Sequence, residues 1–203
     1  MPRESAAKIY EVATRLFGDQ SYPATSMRDI SQAVGILPGS LYSHISGKEA
    51  LLFSIVESGV TKYLEAVAPV AESPEPADVR LRAAIAAHVT VVAENIQLTL
   101  VAFHQWKYLE DANRRRVIDM RNAYEDMFTR IVQDGIDTGV FTTTHDARFS
   151  VLAVLGMLNW VPEWFSPNGK ASTEEVAEAL ADVVLSGLMS PVPAAKGRKP
   201  RSR

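Results

Sequence analysis

Thr25-Ser26-Met27-Arg28-Asp29-Ile30-Ser31-Gln32-Ala33-Val34-Gly35-Ile36-Leu37-Pro38-Gly39-Ser40-Leu41-Tyr42-Ser43-His44-Ile45-Ser46-Gly47-Lys48-Glu49-Ala50-Leu51 reads as two helical segments joined by a turn, with a third helix opening behind them. Met27, Ile30 and Ala33/Val34 recur at helical spacing, which predicts a helix over 26–34. Thr25 or Ser26 can cap its start, and Ser26 with Asp29 has the spacing of a capping box. Gly35 follows as a left-handed terminator. Pro38 suits the first turn of the next helix, where a missing N–H costs nothing; about seven residues remain for that helix. Ser46 and Glu49 form a second box, opening a helix with Leu51, Leu52, Ile55, Val56 and Val60 on one side.

A helix, a turn and a short helix make a helix-turn-helix, whose second helix must be short and exposed to enter a major groove about 12 Å wide. Gly39, Ser40, Ser43 and His44 form a small polar face, Leu41 and Ile45 point inward, and Tyr42 can reach a phosphate. The same spacing also suits three short structural helices with Tyr42 half-buried. Before this stretch, Ile9, Val12, Ala13, Leu16 and Phe17 mark another amphipathic helix. Residues 1–17 carry Glu4 and Glu11 and no continuous apolar core, unlike a signal peptide.

Beyond it, the period stays helical. Residues 69–78 hold three prolines in ten and are expected to break the chain between two subregions. Helices are expected over 79–94, 98–110, 114–135, 147–160 and 172–189; Gly135 and Gly139 punctuate one turn, and Thr143 or Thr144 caps the next helix. No strand alternation and no internal repeat is present. The expectation is an all-α fold of about nine helices, divided into a head (1–50), a body (51–190) and a tail (191–203).

Charge follows the same division. The 203 residues carry a net −3, from a neutral head, a body at −8 and a tail at +5 with Lys196, Arg198, Lys199, Arg201 and Arg203. This suits a protein that meets a polyanion at one end only, and equally an acidic protein with a basic, disordered end. No cysteine is present, which removes disulfides, thiolate metal sites and thiol chemistry. The histidines (His44, His88, His104, His145) show no metal spacing, and no glycine-rich phosphate loop exists, so an enzyme is not expected. No window is long and apolar enough to span a membrane; a soluble cytoplasmic protein is expected.

The 25–51 stretch resembles the DNA-binding segment of the TetR family of bacterial one-component transcriptional repressors. Thr25, Ile30, Ala33, Gly35, Leu41, Tyr42, His44, Lys48, Glu49 and Leu51 fall on the family pattern, as do Ala13, Leu16, Phe17 and Tyr22. The resemblance implies a homodimer that binds a near-palindromic double-stranded operator and is released by a small-molecule effector, without a resident cofactor. It assigns DNA-facing roles to Thr25, Arg28, Pro38, Gly39, Ser40, Tyr42, His44 and Lys48. Leu37 departs from it: the family usually has Ser or Thr there, and leucine cannot accept the orphan N–H bonds of the helix start. Ile45 stands where an aromatic is usual. A helical interaction protein that binds no DNA is the competing reading.

For the effector, Val89, Val92, Asn95, Phe103, His104, Trp106, Met120, Tyr124, Phe128 and Trp160 are candidate pocket residues, an apolar set with few polar points. Arg114, Arg115, Arg116 and Arg121 form a basic cluster within the acidic body, either a solvated face or a phosphate grip. Gly35-Ile36-Leu37-x-Gly39-Ser40-Leu41-Tyr42 and Trp160-x-x-x-Trp164-Phe165-x-Pro167-x-Gly169 resemble the family branch that senses acyl-CoA thioesters, including fatty-acid and steroid catabolism repressors. A multidrug or lipid-like effector is the alternative. Val151, Leu155, Leu158, Leu180, Val184 and Leu188 are the expected dimer seam, in a four-helix bundle built from two helices of each subunit.

Overall fold

The computed structural model describes residues 2–189 other than Thr144, with side chains from residue 6 onward. The described residues form ten α-helices, one 3-10 turn and no strand. In order they are α1 (Pro2–Gln20), α2 (Met27–Val34), α3 (Pro38–Tyr42), α4 (Lys48–Ala71), α5 (Ala77–Glu94) and α6 (Ile96–His104). The 3-10 turn (Trp106–Tyr108) precedes α7 (Asp111–Asp137), α8 (Ala147–Leu158), α9 (Val161–Trp164) and α10 (Thr173–Met189). The basic stretch 191–203 lies outside the described residues.

The head assembles as its local signals dictate. Ile9, Val12, Ala13 and Phe17 of α1 bury one stripe against Ile30 and Val34 of α2 and Leu41 of α3. The Ser26 hydroxyl accepts from Asp29 N–H at 3.1 Å and the Asp29 carboxylate accepts from Ser26 N–H at 2.8 Å, so the expected box forms. The bonds from Ser26 hold the Asp29 carboxyl below its usual range. Gly35 ends α2 at φ 82°, a left-handed turn that a side chain would strain. Lys8 Nζ donates to the Val34 carbonyl at 3.0 Å, a cation at the negative end of the same helix. No side chain caps α3, and Leu37 stands 77% exposed at its start.

Helix α4 joins head to body. Leu51, Leu52, Ile55, Val56 and Val60 enter the head's core, whereas Tyr63, Val67 and Ala71 enter the core of the body. The head–body border expected at 50/51 therefore falls inside one continuous helix. That helix does not start as expected. Gly47 is its cap, and Glu49 reaches forward to Glu110 N–H at 3.2 Å and Asn113 Nδ2 at 3.1 Å instead of back to Ser46. A tertiary partner has displaced a local one.

Several body boundaries shift for similar reasons. Pro69 is absorbed into the last turn of α4, leaving only 72–76 as the break. The helix expected over 98–110 ends at His104, and the chain tightens into the 3-10 turn before α7. No single described helix is long and apolar enough to cross a membrane, and α5 and α6 meet at 107°. Asp146 caps α8 by accepting from Arg148 N–H at 2.6 Å, in place of the expected threonine. At the end of α7 a Cβ on Gly135 would stand 2.1 Å from the Phe141 ring, so this position admits the ring only as glycine.

Candidate DNA-binding face and effector cavity

Helix α3 is held from below and bare above. Leu41 is fully buried, while Pro38, Gly39, Ser40, Tyr42 and His44 are exposed, as is Arg28 on α2. Exposed groups of these types suit contact with phosphate oxygens and base edges. Lys48 stands half-buried behind it, with Nζ 4.1 Å from the centroid of the Tyr22 ring; burial pushes its ammonium down from the ordinary value.

Thr25 is the exception among the expected DNA contacts. It is 1% exposed, and its hydroxyl donates to Ser21 O at 3.0 Å and Leu16 O at 3.3 Å. In the free chain its single proton is shared between two carbonyls on the inner side and is not turned toward the outer face. Its work is to tie the end of α1 to the start of α2.

In the body, a cavity of about 340 Å³ opens between α4, the end of α6 with the 3-10 turn after it, α7 and α8. Its wall comprises Val60, Tyr63, Phe103, Trp106, Ile118, Arg121, Asn122, Tyr124, Glu125, Leu152, Leu155, Gly156 and Asn159. The exposed Ile118, Asn122, Leu152 and Gly156 mark its mouth.

Aromatic rings fill the inner side: Tyr63 packs edge-on to Phe103 at 5.1 Å and to Tyr124 at 5.9 Å. Their polar tips are satisfied in pairs, Tyr63 Oη with Thr99 Oγ1 at 2.7 Å and Tyr124 Oη with His88 Nδ1 at 2.7 Å. Burial pushes both phenols up and pushes the His88 imidazole down to about 3. His88 is therefore neutral at physiological pH.

Of the residues expected to line a pocket, Phe103, Trp106, Arg121 and Tyr124 do so. Val89, Val92 and Phe128 are corrected to sealed core, each 0% exposed. Their helical spacing matched a pocket stripe and a core stripe alike. Asn95 spends its amide on Val91 O at 3.2 Å, and Met120 packs against the head's core. His104 faces Glu163 at 3.5 Å, and Trp160 is exposed away from the wall. Arg114 pairs with Asp111, and Arg116 with Glu57 at 2.8 Å while covering the Phe53 ring. Arg115 is exposed on the α7 face that carries Ile118 and Asn122, three and seven residues on. Tyr63, Asn159 and the α8 residues of the wall escaped sequence reasoning, since nothing local marks a side chain that a distant helix will meet.

The expected dimer seam also needs correction. Val151, Leu155, Leu158, Val184 and Leu188 are buried within the single chain and Leu180 is half-buried, so they have little surface left to offer. The strongest apolar stripe of each helix is turned into its own protomer. Phe149 (63% exposed), Leu152 (49%), Val183 (63%) and Met189 (49%) are the large apolar side chains these helices leave outside.

A short recognition helix on a rigid frame, joined by one helix to a body that encloses a small cavity, defines a one-component DNA-binding regulator. Comparison with known proteins agrees. The family model for bacterial regulatory proteins of the tetR family matches residues 9–55, and that for the tetracyclin repressor-like C-terminal domain matches residues 74–188. The chain belongs to the TetR family, whose members are transcription factors and not enzymes. It is 28% identical to the HTH-type transcriptional repressor KstR2 of Rhodococcus jostii strain RHA1, over 91% of each chain. Among solved structures it resembles the TetR family regulator PfmR of Thermus thermophilus (34% identity, TM-score 0.81, covering 90% of this chain and 99% of that one). It also resembles AibR in complex with isovaleryl coenzyme A and operator DNA (26% identity, TM-score 0.79, 93% and 100% covered).

Proposed function

We propose that this TetR-type repressor binds its operator as a homodimer and is released by an acyl-CoA thioester. The observation that carries the reading is the 340 Å³ cavity with an exposed arginine, Arg115, on the same helix face as two residues of its mouth. A cavity of that volume lies at the small end of ligand sites, suited to an acyl group and too small for a nucleotide as well. The nucleotide must stay outside, where a guanidinium can grip phosphate in bidentate fashion. Arg114 and Arg116 already answer to Asp111 and Glu57, which leaves Arg115 as the principal candidate of the three. Likeness to AibR, solved with isovaleryl coenzyme A, supports the same class of effector.

The end of α6 and the 3-10 turn after it touch both the cavity and the head, and this supports a response to the effector. Phe103 and Trp106 line the cavity, while between and beyond them Gln105 accepts from Tyr22 N–H at 3.2 Å and Tyr108 stacks on the Tyr22 ring at 5.8 Å. Tyr22 in turn carries Lys48. A ligand that repositions Trp106 would thus disturb the frame behind α3. Phe149, Leu152 and Val183 are the faces a second subunit would cover, placing two heads about 34–36 Å apart on the DNA.

The test is to titrate an operator complex with isovaleryl-CoA, isovalerate and CoA alone. Release by the thioester only, weakened by Arg115→Ala, is expected. Equal release by the free acid, or indifference to Arg115→Ala, would favour a general hydrophobic effector.

A further inference from the structure

Three polar groups of the cavity wall are already answered. Tyr63 has Thr99 and Tyr124 has His88, while the Glu125 carboxylate accepts from Arg148 Nε at 2.7 Å. Two groups differ. Arg121 Nη1 and Asn159 Oδ1 are both buried atoms without a hydrogen-bond partner among the described residues. Both belong to the wall of the same cavity, Arg121 from α7 and Asn159 from the end of α8.

The Arg121 guanidinium is also held in place. It lies 5.1 Å from the Phe103 ring centroid and 5.3 Å from that of Trp106, between two rings of the wall. Cation–π contacts fix its plane and offset part of its desolvation, but they supply no hydrogen-bond acceptor. Burial pushes the guanidinium down from its ordinary value, and Glu125 opposes that shift only in part. A buried donor left unsatisfied carries a free-energy penalty that a bound acceptor removes.

We infer that Arg121 receives a carbonyl or carboxylate oxygen of the effector, with Tyr63, Phe103 and Tyr124 enclosing its apolar part. The inference deepens the reading of this cavity as the effector site and rests on it for the site's role in regulation, but not for binding itself. Its content is chemical: the ligand carries an oxygen acceptor inside the cavity and is not plain hydrocarbon. A thioester carbonyl and a free carboxylate both satisfy the geometry. The outer arginine, Arg115, then deals with phosphates, and the inner one with the acyl end.

Hexanoate, 2-hexanone, n-hexane and hexanoyl-CoA serve as probes, with binding to the full chain followed by calorimetry and tryptophan fluorescence. Hexanoate or 2-hexanone should bind the wild type at least about tenfold more tightly than hexane. The ranking of these two, set beside hexanoyl-CoA, tells a carboxylate from a carbonyl preference. Arg121→Met should abolish the advantage of the oxygenated probes while hexane binds as before, and Arg121→Lys should restore part of it. Circular dichroism checks that each variant is folded; if Arg121→Met is not, Arg121→Gln, polar but uncharged, should still weaken the oxygenated probes selectively.

Unchanged hexanoate and 2-hexanone binding in the folded variants, hexane equal to them in the wild type, or no binding of any oxygenated probe would each overturn the assignment. Operator release by isovaleryl-CoA that survives Arg121→Met would remove Arg121 and leave the regulatory reading intact. Oxygenated probes that bind through Arg121 with no release of DNA by any thioester would do the reverse.

Discussion

The head and the body use their polar side chains in opposite directions. In the head, Arg28, Ser40, Tyr42 and His44 stand in solvent, while the buried hydroxyls of Thr25 and Ser31 bond backbone carbonyls of the frame. In the body, Tyr63, His88 and Tyr124 are turned inward, while the Arg114–Arg116 run is spent largely on neighbouring carboxylates. The difference teaches where each function can be read. A DNA surface is made of exposed residues on a few consecutive turns; a cavity is made where residues from four distant segments happen to meet.

The contrast is broken most visibly by deleting packing. Phe128→Ala, at a fully buried ring, should lower stability by about 3–5 kcal/mol in urea unfolding, whereas Tyr42→Ala, at a ring 56% exposed, should change it by less than about 0.5 kcal/mol and still lose operator affinity. Similar stability losses for both would erase the distinction between core and contact surface.

Acid sharpens it next. His88 stays neutral in the native protein down to about pH 3, while the unfolded chain protonates it from about its ordinary value of 6.5. Its contribution is therefore fully present above that ordinary value and declines as pH falls between the two, by up to about 1.4 kcal/mol per pH unit. His88→Gln keeps a partner for Tyr124 and cannot titrate, so its unfolding midpoint should fall less steeply from pH 7 to pH 4. Parallel curves for the two proteins would place the acid sensitivity elsewhere.

On the exposed side, Arg28→Ala or Ser40→Ala should change discrimination among single-base operator variants by about 1–3 kcal/mol per lost base contact. Tyr42→Phe and Lys48→Ala should weaken all variants alike, because phosphate contacts position without specifying. Affinities across an operator panel decide between the two classes, and a flat response to Arg28→Ala and Ser40→Ala would take them off the reading surface.

The smallest effect concerns the start of α3, which has no side-chain cap. Leu37→Thr supplies the missing acceptor and should raise stability by about 1 kcal/mol. No gain in thermal unfolding would mean that water already serves the orphan N–H groups of α3.

What was legible in the chain follows from the range of the interactions. Ser26 and Asp29 satisfy each other across one turn, and Gly35 relieves its own backbone, so α2 and its end could be drawn from neighbours alone. Ser46 and Glu49 have an equally good local pattern, yet Glu49 went to Asn113, because a partner 64 positions away in sequence was brought within reach. Thr25 matched a family position but not the expected contact, since the turn before it folds the hydroxyl onto Ser21 O. Val89, Val92 and Phe128 were misplaced by a more general ambiguity: an apolar stripe shows that a face is covered, never whether protein, ligand or a second subunit covers it.

By itself the sequence determined the all-helical class, the helix-turn-helix and its exposed polar face, all of which depend on groups within a few residues of one another. Only the tertiary structure decided that Arg121 and Asn159 share a cavity, that Trp106 lines it while Tyr108 stacks on Tyr22, and that Phe149 and Val183 are left outside. Those outcomes turn on which long-range packing leaves a polar atom without a partner or an apolar ring without a neighbour, and no single helix carries that information.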